Sequence, residues 1–463
     1  MKIVVTNIYA ILETDDTELK KALSTKYKCR VPGYQYTPQY RRRSWDGYKQ
    51  FFSPVTGKFR SGLLPLICKD LDYLEREYTV EDQRTKVSTL DTDIKTLTLR
   101  DYQKTLVKDV LDKKRCVLKA PTGSGKTVIL AAILKALEGK TGLIFFNKKQ
   151  LLHQTYKFLT EHSLDVGVAF GDGVDIKPIT LCTIQSIDKV LSTHLKTSQF
   201  IIFDEIHEFA KGKLSEKVLK SFPEAYFRIG MTATPPSERY AFLNLISTLG
   251  LVVEEVTAEN LIEEGHLTEP LIQITSLPSL AEVRDGMPYP EVYNKYIIEN
   301  ESRNNAIADL ATSILEKPTK NPQKILILTK NLEHAKLLHK LIPGSYKLEG
   351  KDSLTDRESV LTKFRDSTES SVIIGTIIFQ TGVDIPELTH LINARGLKSE
   401  IATLQALGRT LRKHKTKSKV FIYDYIDKAP YLEQHSVARV KSYQSLNFEV
   451  EIDGTPIKKR STN

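Results

Sequence analysis

Ala120-Pro121-Thr122-Gly123-Ser124-Gly125-Lys126-Thr127 is the run of residues with the clearest chemistry. Glycines let successive backbone N–H groups curl around phosphate oxygens with no Cβ in the way. In such a loop Lys126 adds a mobile positive charge and the Thr127 hydroxyl is a ligand for Mg²⁺. The helix that follows turns its positive end toward the anion. The strict pattern has glycine first, where this chain has Ala120. A nucleoside triphosphate site also needs a second carboxylate for the metal and a group to orient the attacking water. Phe200-Ile201-Ile202-Phe203-Asp204-Glu205-Ile206-His207 offers both, with Asp204 lying 78 residues beyond Lys126. An apolar strand that ends in two acids sets them at the carboxyl edge of a parallel sheet, where ligands bind. Asp204 is expected to hold Mg²⁺ through water, and Glu205 to polarise the hydrolytic water. Further on, Gln405-Ala406-Leu407-Gly408-Arg409-Thr410-Leu411-Arg412 puts two arginines three apart on a helical stretch, so that they share a face. Guanidinium groups brought to a γ-phosphate accelerate its transfer by about 10³–10⁵-fold. The same spacing is also that of an ordinary solvated helix face.

These groups must be held by elements, and the texture of the chain supplies them. Apolar strands are predicted at Cys116–Ala120, Gly142–Phe146, Val166–Phe170, Ile179–Thr183, Phe200–Asp204 and Phe227–Met231, with helical periodicity at Val128–Leu137 and Gln150–Leu159. The alternation lapses through Thr257–Pro290. It resumes with strands at Lys324–Leu328, Ser371–Gly375, Leu388–Asn393 and Lys419–Tyr425, and helices at Leu332–Ile342, Leu354–Phe364 and Ser399–Arg412. Near-continuous apolar strands separated by helices imply parallel sheets covered on both faces. The expected fold is α/β, two such units in tandem, preceded by a small basic α+β domain. The expected divisions are 1–90, 91–256, a connection at 257–300, and 301–463. Asp424 and Asp427, near a late strand, look like ordinary strand-end acids.

Composition removes several classes of function. The 463 residues are 40% hydrophobic and 27% charged, which is globular rather than disordered. No apolar run approaches the roughly 18 residues of a membrane span, so no membrane role is expected. Met1–Thr6 has no signal-peptide core and is expected to open the strand Lys2–Glu13. Together these predict a soluble protein of the cytoplasm. The four cysteines stand at least 39 residues apart with no CxxC pair, and no HExxH occurs, which argues against zinc.

The formal net charge is +10, and its distribution is uneven. Between Lys20 and Arg60, eleven basic residues face one acid, Asp46, and nine aromatics are interleaved with them. Arg41, Arg42, Arg43 and Trp45 lie in the middle. Clustered cations with aromatics suit phosphate attraction and base contact. Some of the aromatics must also form the region's own core, and Trp45 and Phe51 each fit either part.

Taken in order, Asp204-Glu205-Ile206-His207, Met231-Thr232-Ala233-Thr234-Pro235, Gly375-Thr376 with Thr381-Gly382-Val383-Asp384-Ile385-Pro386, and Gln405–Arg412 resemble the motifs of superfamily-2 helicases of the DExH type. Leu99-Arg100-Asp101-Tyr102-Gln103 is similar to that superfamily's adenine-recognition element. Arg43-Ser44-Trp45-Asp46-Gly47-Tyr48, with Phe51 and Gly62-Leu63-Leu64-Pro65, resembles the amino-terminal domain of UvsW-like phage recombination helicases.

The resemblance implies two RecA-like domains that use ATP and Mg²⁺. It implies that Arg100 and Gln103 border the adenine, that Pro121, Thr122, Gly123, Ser124, Gly125, Lys126 and Thr127 cradle the phosphates, and that Gly382 and Asp384 approach the nucleotide. His207, Thr232 and Thr234 would couple hydrolysis to movement, with Gln405, Arg409 and Arg412 completing the site. Lys148, Gln185 and Thr376 would meet the nucleic-acid phosphates. It further implies forked, branched or partly single-stranded DNA as substrate, with unwinding and branch migration as the work done. Replication or recombination proteins are the implied partners, and the implied state is a monomer in the host cytoplasm if the chain is phage-encoded. An RNA remodeller, an ATP-gated clamp that does not translocate, and a restriction-type translocase subunit share the same motor motifs.

Overall fold

The computed structural model describes residues 1–88, 97–171, 173–209, 218, 221–253, 256–278, 286–349, 352, 354–376, 385–398, 408, 410–415 and 417–457. They fall into two compact units. One comprises Met1–Pro121 and Gly125–Val256, the other Thr122–Ser124 and Thr257–Asn463.

The predicted first strand is a hairpin: Lys2–Val5 pairs antiparallel with Tyr9–Glu13, alternate residues facing inward. With Lys58–Arg60 and Thr79–Asp82 these make a four-stranded sheet in the order Lys58–Arg60, Tyr9–Glu13, Lys2–Val5, Thr79–Asp82. The helices Thr17–Lys26 and Leu64–Tyr73 bury Leu19, Leu23, Ile67 and Leu71 in one core with it, so the region is α+β. Asp16 starts the first helix by accepting from the Leu19 N–H at 2.9 Å. Phe51, Phe52, Phe59 and Tyr27 belong to the same core.

This region is continuous with the α/β part of its unit rather than a body of its own. Leu243 and Ile246, from the helix Arg239–Leu249, complete the amino-terminal core. Buried Arg60 donates to Asn244 Oδ1 at 3.3 Å and Thr248 Oγ1 at 3.2 Å, and Lys49 reaches Asn244 Oδ1 at 3.1 Å. Arg115 donates to the Asn7 carbonyl at 2.7 Å, Ser61 Oγ at 2.6 Å and the Tyr226 carbonyl at 3.1 Å. At Gly62 a Cβ would meet the Ile246 carbonyl at 2.4 Å, so only glycine permits this backbone approach.

The large sheet of the first unit has eight strands among the described residues. Their order is Gly173–Asp175, Gly167–Phe170, Ile179–Thr183, Gly142–Phe146, Phe200–Phe203, Phe227–Thr232, Arg115–Lys119, Val252–Val253. All its pairings are parallel except the first. The helix Lys126–Ala136 is apolar nearly all round and is buried along most of its length.

The second unit repeats the plan in the order Tyr346–Leu348, Ser371–Gly375, Lys324–Leu328, His390–Asn393, Lys419–Ile426, Glu269–Ser276, Glu449–Ile452, Thr455–Ile457. Only its last pairing is antiparallel. Ile307 and Ala311 of the helix Glu301–Glu316 and Ala335 and Leu338 of the helix Leu332–Leu341 cover it. Fold expectation and structure therefore agree on two tandem parallel-sheet domains behind an α+β region. They differ over residues 257–300. That stretch is not merely a connection, because it carries the helix Ala258–Glu263 and the strand Glu269–Ser276, which lies inside the second sheet.

Candidate active site

Parallel register gathers the predicted residues at one edge. Phe203 lies opposite Gly230, and Thr232 lies opposite Lys119, so three strands end together. The loop after Lys119 turns through two left-handed glycines, Gly123 at φ +92° and Gly125 at φ +78°. A Cβ on Gly125 would stand 2.5 Å from Gln103 Nε2, so both backbone and space require glycine there. Gln103, only 3% exposed, lies against the loop. Its Oε1 accepts the Arg100 N–H at 3.0 Å, while Arg100 itself is exposed and donates to the Tyr102 hydroxyl at 3.2 Å. Lys126 begins the helix after the loop, and its Nζ donates to the Ala120 carbonyl at 3.3 Å and stands 3.8 Å from Glu205 Oε1. Pro121, Thr122, Gly123 and Thr127 are half-buried and Ser124 is buried.

Asp204 and Glu205 follow directly on the strand Phe200–Phe203, with the Asp204 N–H donating to the Phe145 carbonyl at 3.0 Å. Glu205 adopts φ +49°, a left-handed backbone unfavourable for a residue with a Cβ. Its Oε2 is buried and, among the described residues, accepts no hydrogen bond. His207 Nδ1 lies 3.4 Å from that oxygen and 2.8 Å from Thr232 Oγ1, which also accepts the Thr234 N–H at 3.1 Å. A relay of contacts thus runs from Glu205, close to His207 but not hydrogen-bonded to it, through His207 and Thr232 to the Thr234 N–H, and among the described residues the buried Thr234 hydroxyl oxygen has no hydrogen-bond partner. Burial pushes His207 below the ordinary imidazole pKa. Glu205 and Glu208 pull it upward, Lys126 and Lys148 push it further down, and lowering prevails. His207 is therefore neutral at pH 7. Lys148 and exposed Gln185 follow strands Gly142–Phe146 and Ile179–Thr183 on the same edge.

A carboxylate with an unmatched oxygen, a lysine within 4 Å of it and a glycine-turned loop suit a triphosphate with its divalent cation. Among the described residues no group of three or more His, Cys, Asp and Glu side chains is placed to hold a metal.

Other predicted residues are placed differently. Gln405, Arg409, Gly382 and Asp384 lie outside the described residues. Arg412 is not on a helix: it comes after the helical position Thr410 and pairs by backbone bridge with Leu267. The expectation that it shares a helix face is corrected, because strand-like pairing ends the helix before it. Thr376 follows the strand Ser371–Gly375 but is only 5% exposed, which argues against a direct phosphate contact in this conformation.

In the amino-terminal region Arg41, Arg42 and Arg43 are exposed at the end of the helix Pro38–Arg41. Arg41, Arg43, Tyr40 and Trp45 are among the residues lining a groove of about 600 Å³. Trp45 is half-buried and fixed by its Nε1–H to the Tyr48 carbonyl at 2.7 Å. Phe51 is core, so of the two aromatics only Trp45 borders the groove.

Sequence reasoning missed the buried charges of the second unit. Asp424 accepts from Arg439 Nε at 2.9 Å, the Tyr443 hydroxyl at 2.6 Å and Asn393 Nδ2 at 3.0 Å, and Asp427 accepts from Arg303 Nε at 2.8 Å. These are not ordinary strand-end acids but buried ion pairs. The available signal was an arginine on an otherwise inward-facing helical position, at 303 and again at 439.

Residues 96–237 match the family described as type III restriction enzyme, res subunit, and residues 305–414 match the helicase conserved C-terminal domain. The chain is 25% identical over 451 residues to the ATP-dependent DNA helicase uvsW of Enterobacteria phage T4, covering 90% of this chain and 88% of that protein. It is 27% identical over 381 residues to the DNA 3'-5' translocase XPB2 of Sulfurisphaera tokodaii, covering 74% and 84%. The structure of the ATP-dependent type ISP restriction-modification enzyme LlaBIII bound to DNA aligns with a TM-score of 0.60 at 16% identity, over 81% of this chain and 33% of that one. That likeness concerns the fold alone, two tandem RecA-like sheets. Such a fold, with a phosphate loop and an Asp-Glu-Ile-His strand end, defines an ATP-hydrolysing motor enzyme. The chain belongs to the superfamily-2 helicases of the DExH type and is similar to their UvsW-like phage members.

Proposed function

We propose that this enzyme is an ATP-dependent DNA helicase or translocase that works on forked or branched DNA, unwinding it and migrating branches in phage-type recombination, repair or replication. The observation that carries the DNA reading is the basic groove at Arg41, Arg43 and Trp45, built on a region that shares its core with the ATP-site unit. A duplex gripped there moves with that unit, while phosphate contacts on the motor domains hold the track without regard to sequence.

On this reading the loop Pro121–Thr127 cradles the ATP phosphates and Gln103 faces the adenine. Thr127 and Asp204 would hold Mg²⁺, which would supply charge neutralisation on the phosphates. Glu205 orients water with its unmatched oxygen. His207 stays neutral and transmits the state of Glu205 to Thr232 and Thr234. Arg412, with Arg409 and Gln405, supplies positive charge for the γ-phosphate, and Gly382 and Asp384 serve the same nucleotide. Lys148, Gln185 and, after rearrangement, Thr376 track a DNA strand. The proposed site of action is the host cytoplasm, as a monomer, alongside replication or recombination proteins.

The test compares ATPase stimulation by single strands, duplex, forks and four-way junctions at one salt concentration, for the wild type and for Trp45→Ala with Arg41→Ala and Arg43→Ala. Forks and junctions are expected to stimulate most, and the triple variant to lose that preference while keeping its response to single strands. Equal stimulation by all substrates, or a stronger response to RNA, would refute the reading. Point variants are needed because deleting residues 1–90 uncovers Arg115, Leu243 and Ile246.

A further inference from the structure

The second unit carries an aromatic and basic cluster that none of the motor motifs uses. Its strands Lys324–Leu328, His390–Asn393, Lys419–Ile426 and Glu269–Ser276 are parallel, so the segments after them emerge on one edge, the same edge as Thr376. Lys330, Lys398, Tyr431 and the helix Tyr289–Tyr293 all belong to those segments. Tyr289 forms the hub: its ring centroid lies 6.0 Å from Tyr293, 6.0 Å from Tyr431 and 5.4 Å from His435. Lys330 Nζ sits over Tyr293 at 4.2 Å and over Tyr289 at 5.5 Å. Lys398 and Lys330 are both near enough to help lower the pKa of His435, whose main cause is burial.

Two features separate this cluster from ordinary packing. Tyr293 is anchored, buried with its hydroxyl donating to the Arg395 carbonyl at 2.7 Å, whereas Tyr431 is 46% exposed. Tyr431 also adopts φ +64°, a left-handed backbone that carries a cost for a tyrosine and that an asparagine or glycine would relieve. A large aromatic held strained and half in solvent, edge-on to a tyrosine whose ring lies under exposed Lys330, has the composition of a base-stacking platform with a phosphate partner.

We propose that Tyr431 and Tyr289, flanked by Lys330, form a platform on which unpaired bases of a single DNA strand stack. This deepens the proposed function and rests on it. The aromatic faces accept any base, and the lysine pairs with the backbone, so the contact is indifferent to sequence.

The experiment uses the full chain and a single-stranded oligothymidylate carrying 2-aminopurine, at fixed salt. Tyr431→Ala is expected to weaken binding about tenfold and to restore much of the 2-aminopurine emission that stacking quenches. Tyr431→Phe retains the ring and is expected to bind as the wild type does. Lys330→Ala is expected to reduce the slope of log affinity against log salt by about 0.7, a change that loss of folding does not imitate. ATPase without DNA is expected to remain unchanged in all three. Wild-type binding and quenching by Tyr431→Ala would overturn the platform alone. A wild type that neither binds the oligonucleotide nor hydrolyses ATP faster in its presence would overturn the platform and the proposed function together.

Discussion

At the carboxyl edge of the first unit's large sheet, Glu205 holds a left-handed backbone, and among the described residues one of its oxygens accepts no hydrogen bond and the buried hydroxyl of Thr234 has no partner. At the equivalent edge of the second unit's sheet, Asp424 is met by Arg439, Tyr443 and Asn393, and Asp427 by Arg303. Burial by itself would raise the Asp424 pKa, but the charge and hydrogen bonds of Arg439, with those of Tyr443 and the Tyr425 N–H, hold it below the ordinary carboxylate value. The same architecture therefore carries acids of two kinds. On the first edge Glu205 is left with capacity for a ligand, at a cost in strain. The acids of the second are saturated, and they fix the strand-end loops that carry Arg395 and the helix Leu432–Gln444.

The largest expected effect breaks this comparison on the first edge. Glu205→Gln keeps shape and hydrogen-bonding size but removes the charge that activates water. Steady-state ATP turnover is expected to fall by about 10²–10⁴-fold, with ATP affinity and thermal stability retained. Turnover at the wild-type rate would mean that another group orients the water.

Asp424→Ala is expected to do the reverse. It strands Arg439, whose side chain is 2% exposed, in the interior without its counter-ion. Breaking a buried pair from one side costs about 3–5 kcal/mol, to be read as a lowered urea midpoint, while ATP turnover per folded molecule holds. A variant as stable as the wild type would show that the second edge is not saturated for stability's sake.

How much of this was visible in the sequence depended on how fully each element is covered. Gly142–Phe146, Ile179–Thr183, Lys324–Leu328 and Ser371–Gly375 are buried at every position and were delimited to the residue, since strands covered on both faces read as short, mainly apolar runs whose few polar members, such as Thr180 and Ser371, are small or sit at an end. Glu269–Ser276 escaped notice because it alternates, burying Pro270, Ile272 and Ile274 while its other face carries Glu269, Gln273 and Thr275. It follows a Gly-His-Leu-Thr turn after only the short helix Ala258–Glu263. In the site, the glycine loop and the acidic pair could be named from residue types, since the chemistry dictates both type and spacing. The relay through His207 to Thr232 came from family resemblance, and its geometry depends on strand register that no local pattern encodes. Trp45 and Phe51 are similar aromatics six residues apart, and only three-dimensional packing sends one to a groove and the other to the core.

The relay itself sharpens the comparison, because it joins the reactive edge to the rest of its unit. Thr232→Val removes the oxygen that binds His207 and receives the Thr234 N–H. Basal ATPase is expected to survive, while stimulation by DNA falls about 5–150-fold, the usual range of a coupling energy between sites. If basal and stimulated rates fell together, Thr232 would belong to the chemistry and not to its transmission.

The smallest expected effect concerns acid. Burial lowers His334 to about 3 and His390 to about 4, both in the second unit, from an unfolded value near 6.5. His334 Nε2 bonds Asn304 Oδ1 at 2.9 Å, and His390 lies stacked on Phe421 with its Nδ1 2.8 Å from Thr389 Oγ1. A depressed folded-state pKa means that the unfolded chain takes up protons first. The stability due to the neutral ring is whole above pH 6.5 and drains away as pH falls from there toward each folded value. Between pH 7 and pH 6 each histidine is expected to remove about 0.7 kcal/mol. His390→Phe preserves the stacked ring without the titration, so its unfolding free energy is expected to fall less than that of the wild type over the same interval. Equal slopes would place the acid sensitivity of the second unit in a group other than His390, with His334 the next to replace.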